Sequence, residues 1–226
     1  PYIGTGFLAA GAATIEAEVH KAALPFGARR NGMIVGAGAA AFVLERKEDV
    51  PKRGMIPICE LLKTEFLNSA FHGTRLDVGH VATVFSRFVK ELSEEVGLSV
   101  EQLAAKSFFM SHETYTPARG GSSAAEIEAI RRGFGEAASE ILIANTKGFT
   151  GHCIAGSIED LVTIKGLQRQ ELPPVAHLDG PGNEVDPEFK DLSFSKGGPI
   201  DRTFGIRFAA GFGSQMAMVA YQKMAT

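Results

Sequence analysis

Two cysteines, Cys59 and Cys153, are all the thiols in this 226-residue sequence. So few, with no metal-type spacing, argue against a disulfide framework and make a reducing cytoplasm the expected compartment. No stretch approaches the roughly 18 consecutive apolar residues that a membrane-spanning helix needs, so no span is expected. Basic excess is missing too. The net charge is −3, which argues against a nucleic-acid partner, because phosphate neutralisation needs a basic surface. The opening Pro1-Tyr2-Ile3-Gly4 lacks an initiator Met and reads as a fragment or a processed start. It also lacks the basic region, apolar run and cleavage site of a secretory signal. Repeats of solenoid length and low-complexity tracts are absent as well.

What is present is an ordinary globular composition, 45% hydrophobic and 22% charged, long enough for one sizeable core or two small ones. Residues 7–24 are Ala-rich with spaced charges and read as a helix, or a helix and a loop. The run 33–45 is almost wholly apolar with embedded glycines. A buried strand is expected there, since glycines weaken a helix by about 1 kcal/mol each. A charged Pro/Gly segment, 49–54, is the candidate boundary between residues 1–52 and 53–226.

Residues 56–66 read as a strand. Over 80–96 the apolar residues Val81, Val84, Phe85, Phe88, Val89 and Leu92 recur at helical spacing, and Gly97 ends the helix. Ser99 with Gln102 forms a capping pattern for a second, short helix. Residues 107–111 are expected as a strand, 123–134 as a helix and 141–145 as a strand. A helix beginning at His152 is expected over 151–169. The stretch 173–198 reads as irregular, and 204–210 and 216–223 as two antiparallel strands. This alternation implies a layered α/β sheet.

Two histidines then stand out by position. His112 and His152 each follow an expected strand at its carboxyl end, where ligands of α/β sheets bind. At a helix start His152 would be favoured as neutral imidazole, able to donate one hydrogen bond to a carbonyl oxygen as charge grows on it. Lys147 could bias the local charge or anchor a carboxylate. From the residues alone, a catalytic pair and two loop histidines satisfied by backbone both fit. A zinc site from His112, His152 and Cys153 is disfavoured because an adjacent His-Cys pair has poor ligand geometry, so no metal is expected.

The local sequences go further. Ser111-His112-Glu113-Thr114-Tyr115-Thr116-Pro117 resembles the His-Gly-Thr-x-Thr-Pro motif of β-ketoacyl synthases. Thr146-Lys147-Gly148-Phe149-Thr150-Gly151-His152 resembles their Thr-Lys-x-x-x-Gly-His. Pro25-Phe26 with Gly32 to Glu45 is similar to their Pro-Phe-Asp … Gly-Phe-Val-x-Gly-Glu-Gly-Ala … Val-Leu-Glu segment. Pro173-Pro174 through Leu178 looks like their Pro-Pro-Thr-x-Asn-Leu turn, and Gly211-Phe212-Gly213 resembles their Gly-Phe-Gly-Gly loop. The five motifs fall in the family's order across almost the whole chain.

This resemblance implies a thiolase-like α-β-α-β-α fold, of which residues 1–52 would be the end of the first half and 53–226 the second half. It implies decarboxylative Claisen condensation in fatty acid or polyketide assembly, with substrates on the phosphopantetheine of an acyl carrier protein and no other cofactor. His112 and His152 would promote decarboxylation, Lys147 would position them, and Glu126 would pair with Lys147. Thr114 and Thr116 would bind the phosphopantetheine arm. Phe212, between Gly211 and Gly213, would gate the acyl pocket and lend its backbone N–H to the oxyanion hole; it could instead be plain core.

The nucleophilic Cys of the family has no counterpart in these residues, so it is expected outside this chain, which alone would be inactive. The implied partners are the missing N-terminal half, the carrier protein, and a second ketosynthase-like subunit in a homodimer or heterodimer. The alternative is a non-catalytic, chain-length-factor-like subunit. Thiolases commonly carry a second catalytic Cys near the C-terminus, and none follows position 153. Several positions depart from the pattern: Gly27, Ala37, Ser214-Gln215, about three extra residues between His112 and Glu126, and Glu113, whose carboxylate beside the imidazole is expected to raise its pKa.

Overall fold

The computed structural model describes residues 2–73, 75–117, 121–154, 157–178, 180 and 183–224. Pro1, residues 118–120 of the stretch between His112 and Glu126, residues 155–156 of the expected helix, and 179, 181 and 182 of the expected irregular stretch lie outside them. In chain order the elements are α1 (Tyr2–Ala9), α2 (Val19–Ala22), β1 (Cys59–Asn68), α3 (Val78–Val96), α4 (Val100–Ala105), β2 (Ser107–Met110), α5 (Ser122–Phe134) and β3 (Leu142–Ala144). They continue with α6 (Lys147–Thr150), α7 (Ser157–Arg169), β4 (Glu171–Pro174), β5 (Ser193–Phe194), β6 (Lys196–Pro199), β7 (Phe204–Gly211) and β8 (Gln215–Lys223).

Six strands form one sheet in the order β1-β8-β7-β2-β3-β5. Its centre and one flank, β7-β2-β3-β5, are parallel, and the β1-β8-β7 flank is antiparallel. Helices cover both faces. Along β2 the side chains alternate: Phe109 enters the larger core with α3 and α5, while Phe108 and Met110 enter a smaller core with Leu167 of α7 and Tyr221. That double burial is why Phe108, Phe109 and Met110 are apolar in succession rather than at every second position.

Local signals placed these elements. The six apolar residues expected on one face of α3 are all buried. Asp77 caps its first turn by accepting from the His80 N–H at 3.0 Å. Ser99 and Gln102 make the expected capping box of α4.

Three expectations were overturned. Residues 33–45 form no strand. Met33 and Val35 make single bridges, to Ala13 and His152, and Val43 and Leu44 are 88% and 77% exposed. A strand needs a neighbour to complete its ladder, and among the described residues the pairing stops at the single Val35–His152 bridge and the Gly36 N–H bond to the His152 carbonyl. The helix expected from 151 starts instead at Ser157, because Gly151 (φ 67°, ψ 179°) and the bridged, extended His152 cannot continue a helix. Finally, 173–198 is not uniformly irregular: β4 pairs with β6 antiparallel and β5 joins the main sheet beside β3.

Candidate active site

β2 and β3 end side by side, and the Ser111 N–H donates to the Ala144 carbonyl at 2.9 Å. His112 therefore emerges two residues beyond β2, next to the segment that carries Lys147. Glu126 of α5 holds the turn: one oxygen accepts from the His112 backbone N–H at 2.6 Å, the other takes the Ser111 hydroxyl. Burial pushes its carboxyl up to about 8, against the Ser111 hydrogen bond.

His152 reaches the same place by a different route. Its N–H donates to the Ile34 carbonyl at 2.7 Å, and its carbonyl accepts from the Gly36 N–H at 3.0 Å. Tyr115 ties this segment to the rest: its hydroxyl accepts from the Ile34 N–H at 3.2 Å and donates to the Lys147 carbonyl at 3.1 Å. The two imidazoles end with centroids 5.5 Å apart and planes at 90°.

The electrostatics are set by buried charge. Lys147 is 1% exposed, lies 3.4 Å by Nζ from Nδ1 of His112, and forms an ion pair with Glu159 of α7. The second oxygen of Glu159 faces Nη2 of Arg207 at 3.4 Å. Burial works to raise the Glu159 carboxyl, but Lys147 and Arg207 together hold it below its usual range. Burial lowers the pKa of Lys147 against the pull of Glu159. His112 is pushed well below its usual range by burial, then by Lys147, Arg207 and His152. Burial and Lys147, with Arg207, push His152 down to about 4 against Glu159. Both rings are neutral at pH 7.

Neutral rings have one donor and one acceptor nitrogen. Nδ1 of His112 faces the Lys147 ammonium, which can only donate, and Nδ1 of His152 accepts from the Ile154 N–H at 3.4 Å. The hydrogen-bond network thus assigns the ring proton to Nε2 in both. Both rings line a cleft of about 630 Å³ whose far wall is Phe66, Ala210, Gly211 and Met216. A larger cavity of about 890 Å³, bounded by Pro174, Phe189 and Lys196, contains neither histidine.

The expected site residues divide. His112, His152 and Lys147 converge. Glu126 is next to them but does not pair with Lys147: its two oxygens are taken by the turn at Ser111 and His112, and Glu159 has the place beside the ammonium. Glu113 does not raise the His112 pKa, because its carboxylate turns away to Ser122 (3.0 Å) and Arg30 (3.6 Å). His152 owes its neutrality to burial and two nearby cations rather than to a helix start.

Thr114 is buried, 3.4 Å by Oγ1 from Ser122 Oγ, and Thr116 is half-buried on the same loop; neither lines the cleft. Gly211 lines it. Phe212 is 56% exposed at the β7–β8 turn and stacks on Phe7, and the Gly213 N–H donates to the Gly73 carbonyl at 2.9 Å. Cys59 begins β1, far along that strand from the cleft residue Asn68, and the Cys153 thiol turns to the Thr150 and Gly151 carbonyls. Glu159 and Arg207 were missed by sequence reasoning. The available signal was a lone charge within the otherwise apolar run Phe204–Gly211, which needs a buried partner.

The comparisons with known proteins cover the segment that holds these residues. The domain description "Beta-ketoacyl synthase, C-terminal domain" matches residues 87–179, which contain both histidines and Lys147. A 3-oxoacyl-[acyl-carrier-protein] synthase 2 from Vibrio harveyi is 31% identical over 225 residues, covering 97% of this chain and 51% of the relative. The chain belongs to the β-ketoacyl synthase family. A synthase of the same name from Vibrio cholerae is 32% identical over 180 residues, 78% of this chain and 42% of the relative. The chain spans about half the length of these curated relatives.

Solved ketosynthases share the thiolase-like fold. A β-ketoacyl synthase from Burkholderia phymatum superposes at TM-score 0.81 with 24% identity, over 99% of this chain and 52% of that one. A type II polyketide synthase acyl-carrier protein in complex with its ketosynthase matches at TM-score 0.83 with 21% identity, over 100% of this chain and 53% of that one. Among the described residues no helix is long and apolar enough to cross a membrane.

Proposed function

We propose that this chain supplies the two-histidine half of a condensing active site that performs decarboxylative Claisen condensation in fatty acid or polyketide assembly. The observation that carries the reading is the pair of imidazoles, both held neutral by burial and nearby cations, that line one cleft. A malonyl-type thioester places its carbonyl oxygen between them. The bond to the carboxylate breaks, carbon dioxide leaves, and the electron pair becomes an enolate whose oxygen accepts both hydrogen bonds. The enolate carbon then attacks the carbonyl of an acyl thioester on a cysteine outside this chain, and the thiolate departs. Lys147 and Arg207 add positive charge near the developing oxyanion without donating a proton to it.

The substrates would ride on the phosphopantetheine of an acyl carrier protein, with Thr114 and Thr116 on the loop that approaches it and Gly211, Phe212 and Gly213 at the acyl end. The remaining partners would be the missing part of the N-terminal ketosynthase half, whose end is residues 1–52 of this chain, and a second ketosynthase-like subunit. Free Cys59 and Cys153 suit a reducing cytoplasm. A chain-length-factor-like role would leave His112, Lys147 and His152 without a task.

The test is release of labelled carbon dioxide from malonyl-carrier protein by the full-length protein. The wild type should release it, and His112→Ala and His152→Ala should each slow it by roughly a hundred- to a thousandfold. A wild-type protein that binds the carrier but releases none is a non-catalytic subunit, and the reading fails.

A further inference from the structure

Arg207 is the only charged residue of β7 and is 1% exposed. Burying a guanidinium is expensive unless it is paired, and an apolar side chain would suit that strand. Its register explains its reach: it lies opposite Met110, the last residue of β2, two positions before His112. Nη2 lies 3.4 Å from Oε2 of Glu159, and Oε1 of the same carboxylate holds Lys147. On the other side Nε lies 4.0 Å from Asp160, which accepts the Tyr221 hydroxyl at 3.1 Å.

We propose that Arg207 is a positioning residue for the histidine pair, holding Glu159 where it fixes Lys147 against His112 and so keeps the His112 proton on Nε2. The relay runs Arg207, Glu159, Lys147, His112, with each contact named above. A carboxylate gripped at both oxygens cannot rotate. Gripped at one, it turns with the flexible lysine, and the ammonium can leave Nδ1. The charges acting on the two rings are Lys147 from α6, Arg207 from β7 and Glu159 from α7; Asp160 faces Arg207 and Tyr221, Glu126 holds Ser111 and the His112 backbone, and Glu113 faces Arg30 and Ser122. Lys147 and Arg207 both act to keep the rings neutral. The catalytic consequence rests on the condensing reading; the positioning itself does not.

The experiment is nitrogen-15 NMR of histidine-labelled full-length protein, wild type against Arg207→Met and Arg207→Lys. In the wild type His112 should show a single Nε2–H tautomer. Arg207→Met should give a mixture of tautomers and raise the His152 titration midpoint by about one pH unit, the scale of one nearby charge. Its kcat for decarboxylation should fall between about tenfold and a hundredfold at unchanged KM, and Arg207→Lys should restore all three. An Arg207→Met protein with the wild-type tautomer and midpoint overturns the proposal. If that variant does not fold, Glu159→Gln cuts the same relay at its next link and must give the mixed tautomers; keeping the single one overturns it equally. A wild type with the ordered tautomer and no carbon dioxide release would sink the reaction and leave the positioning intact.

Discussion

Gly36 and Gly151 pass one another with their backbones in contact. A Cβ on Gly36 would lie 2.1 Å from the Thr150 carbonyl oxygen, and one on Gly151 would lie 2.9 Å from the Gly36 Cα and N. This crossing lets His152 pair on both sides of Val35, so the placement of one catalytic candidate depends on two absent side chains.

Gly151→Ala should therefore be severe. The backbone at φ 67°, ψ 179° is a region essentially closed to other residues, and the strain of about 1–3 kcal/mol adds to the clash with Gly36. Urea unfolding should show a loss of at least about 2 kcal/mol. Decarboxylation should fall with it, while an unchanged midpoint would mean that the crossing is not made in solution.

Lys147→Met tests the buried ion pair. It strands the carboxylate of Glu159 beside Arg207 alone, and removing one partner of a buried pair costs about 3–5 kcal/mol. The lost donor also frees Nδ1 of His112, so activity should fall further than stability explains. Chemical denaturation and the decarboxylation assay, run together, separate the two effects.

The pH dependence has two opposing parts. His152 titrates near 4 in the fold and near about 6.5 unfolded, so between those values the unfolded chain binds more protons. That histidine's contribution to stability is lost as pH falls through this window. Glu126, raised to about 8, behaves oppositely. The folded state holds its proton above the unfolded value, so this contribution is lost as pH rises from about 4.5 towards 8. Glu126→Gln keeps an acceptor for the His112 N–H and turns the Ser111 bond round, with the amide donating to the hydroxyl, and should flatten the alkaline side of a urea-midpoint profile. An unaltered profile would show that Glu126 is ionised at neutral pH.

Ser99→Ala is the control away from the cleft. Losing the capping box of α4 should cost about 1 kcal/mol and leave decarboxylation at the wild-type rate. A loss of activity would couple α4 to the site in a way its position does not suggest.

The legible part of this protein was local. Periodicity in α3 reports which face is buried, and it does so without knowledge of the partner. The Ser99–Gln102 pair closes within its own turn. The motifs around His112 and His152 carried the family, because the chemistry needs those residue types at those spacings. The strand expected over 33–45 failed for the complementary reason: hydrophobicity says that a segment prefers burial, but a ladder is made by a neighbour that the segment does not encode.

The sequence by itself determined α3, α4 and the strands that end at the two histidine segments, singled out His112, His152 and Lys147 as candidates, and carried membership of the family. Only the tertiary structure decided that Lys147 pairs with Glu159 rather than Glu126, that Arg207 grips the same carboxylate, and that His152 is held by Ile34 and Gly36 outside any helix. The physical reason is that propensity and periodicity act along a few residues of chain. Which buried carboxylate meets which cation is fixed by the stacking of α7 on β7 and the end of β2, and that distance is written in no single segment.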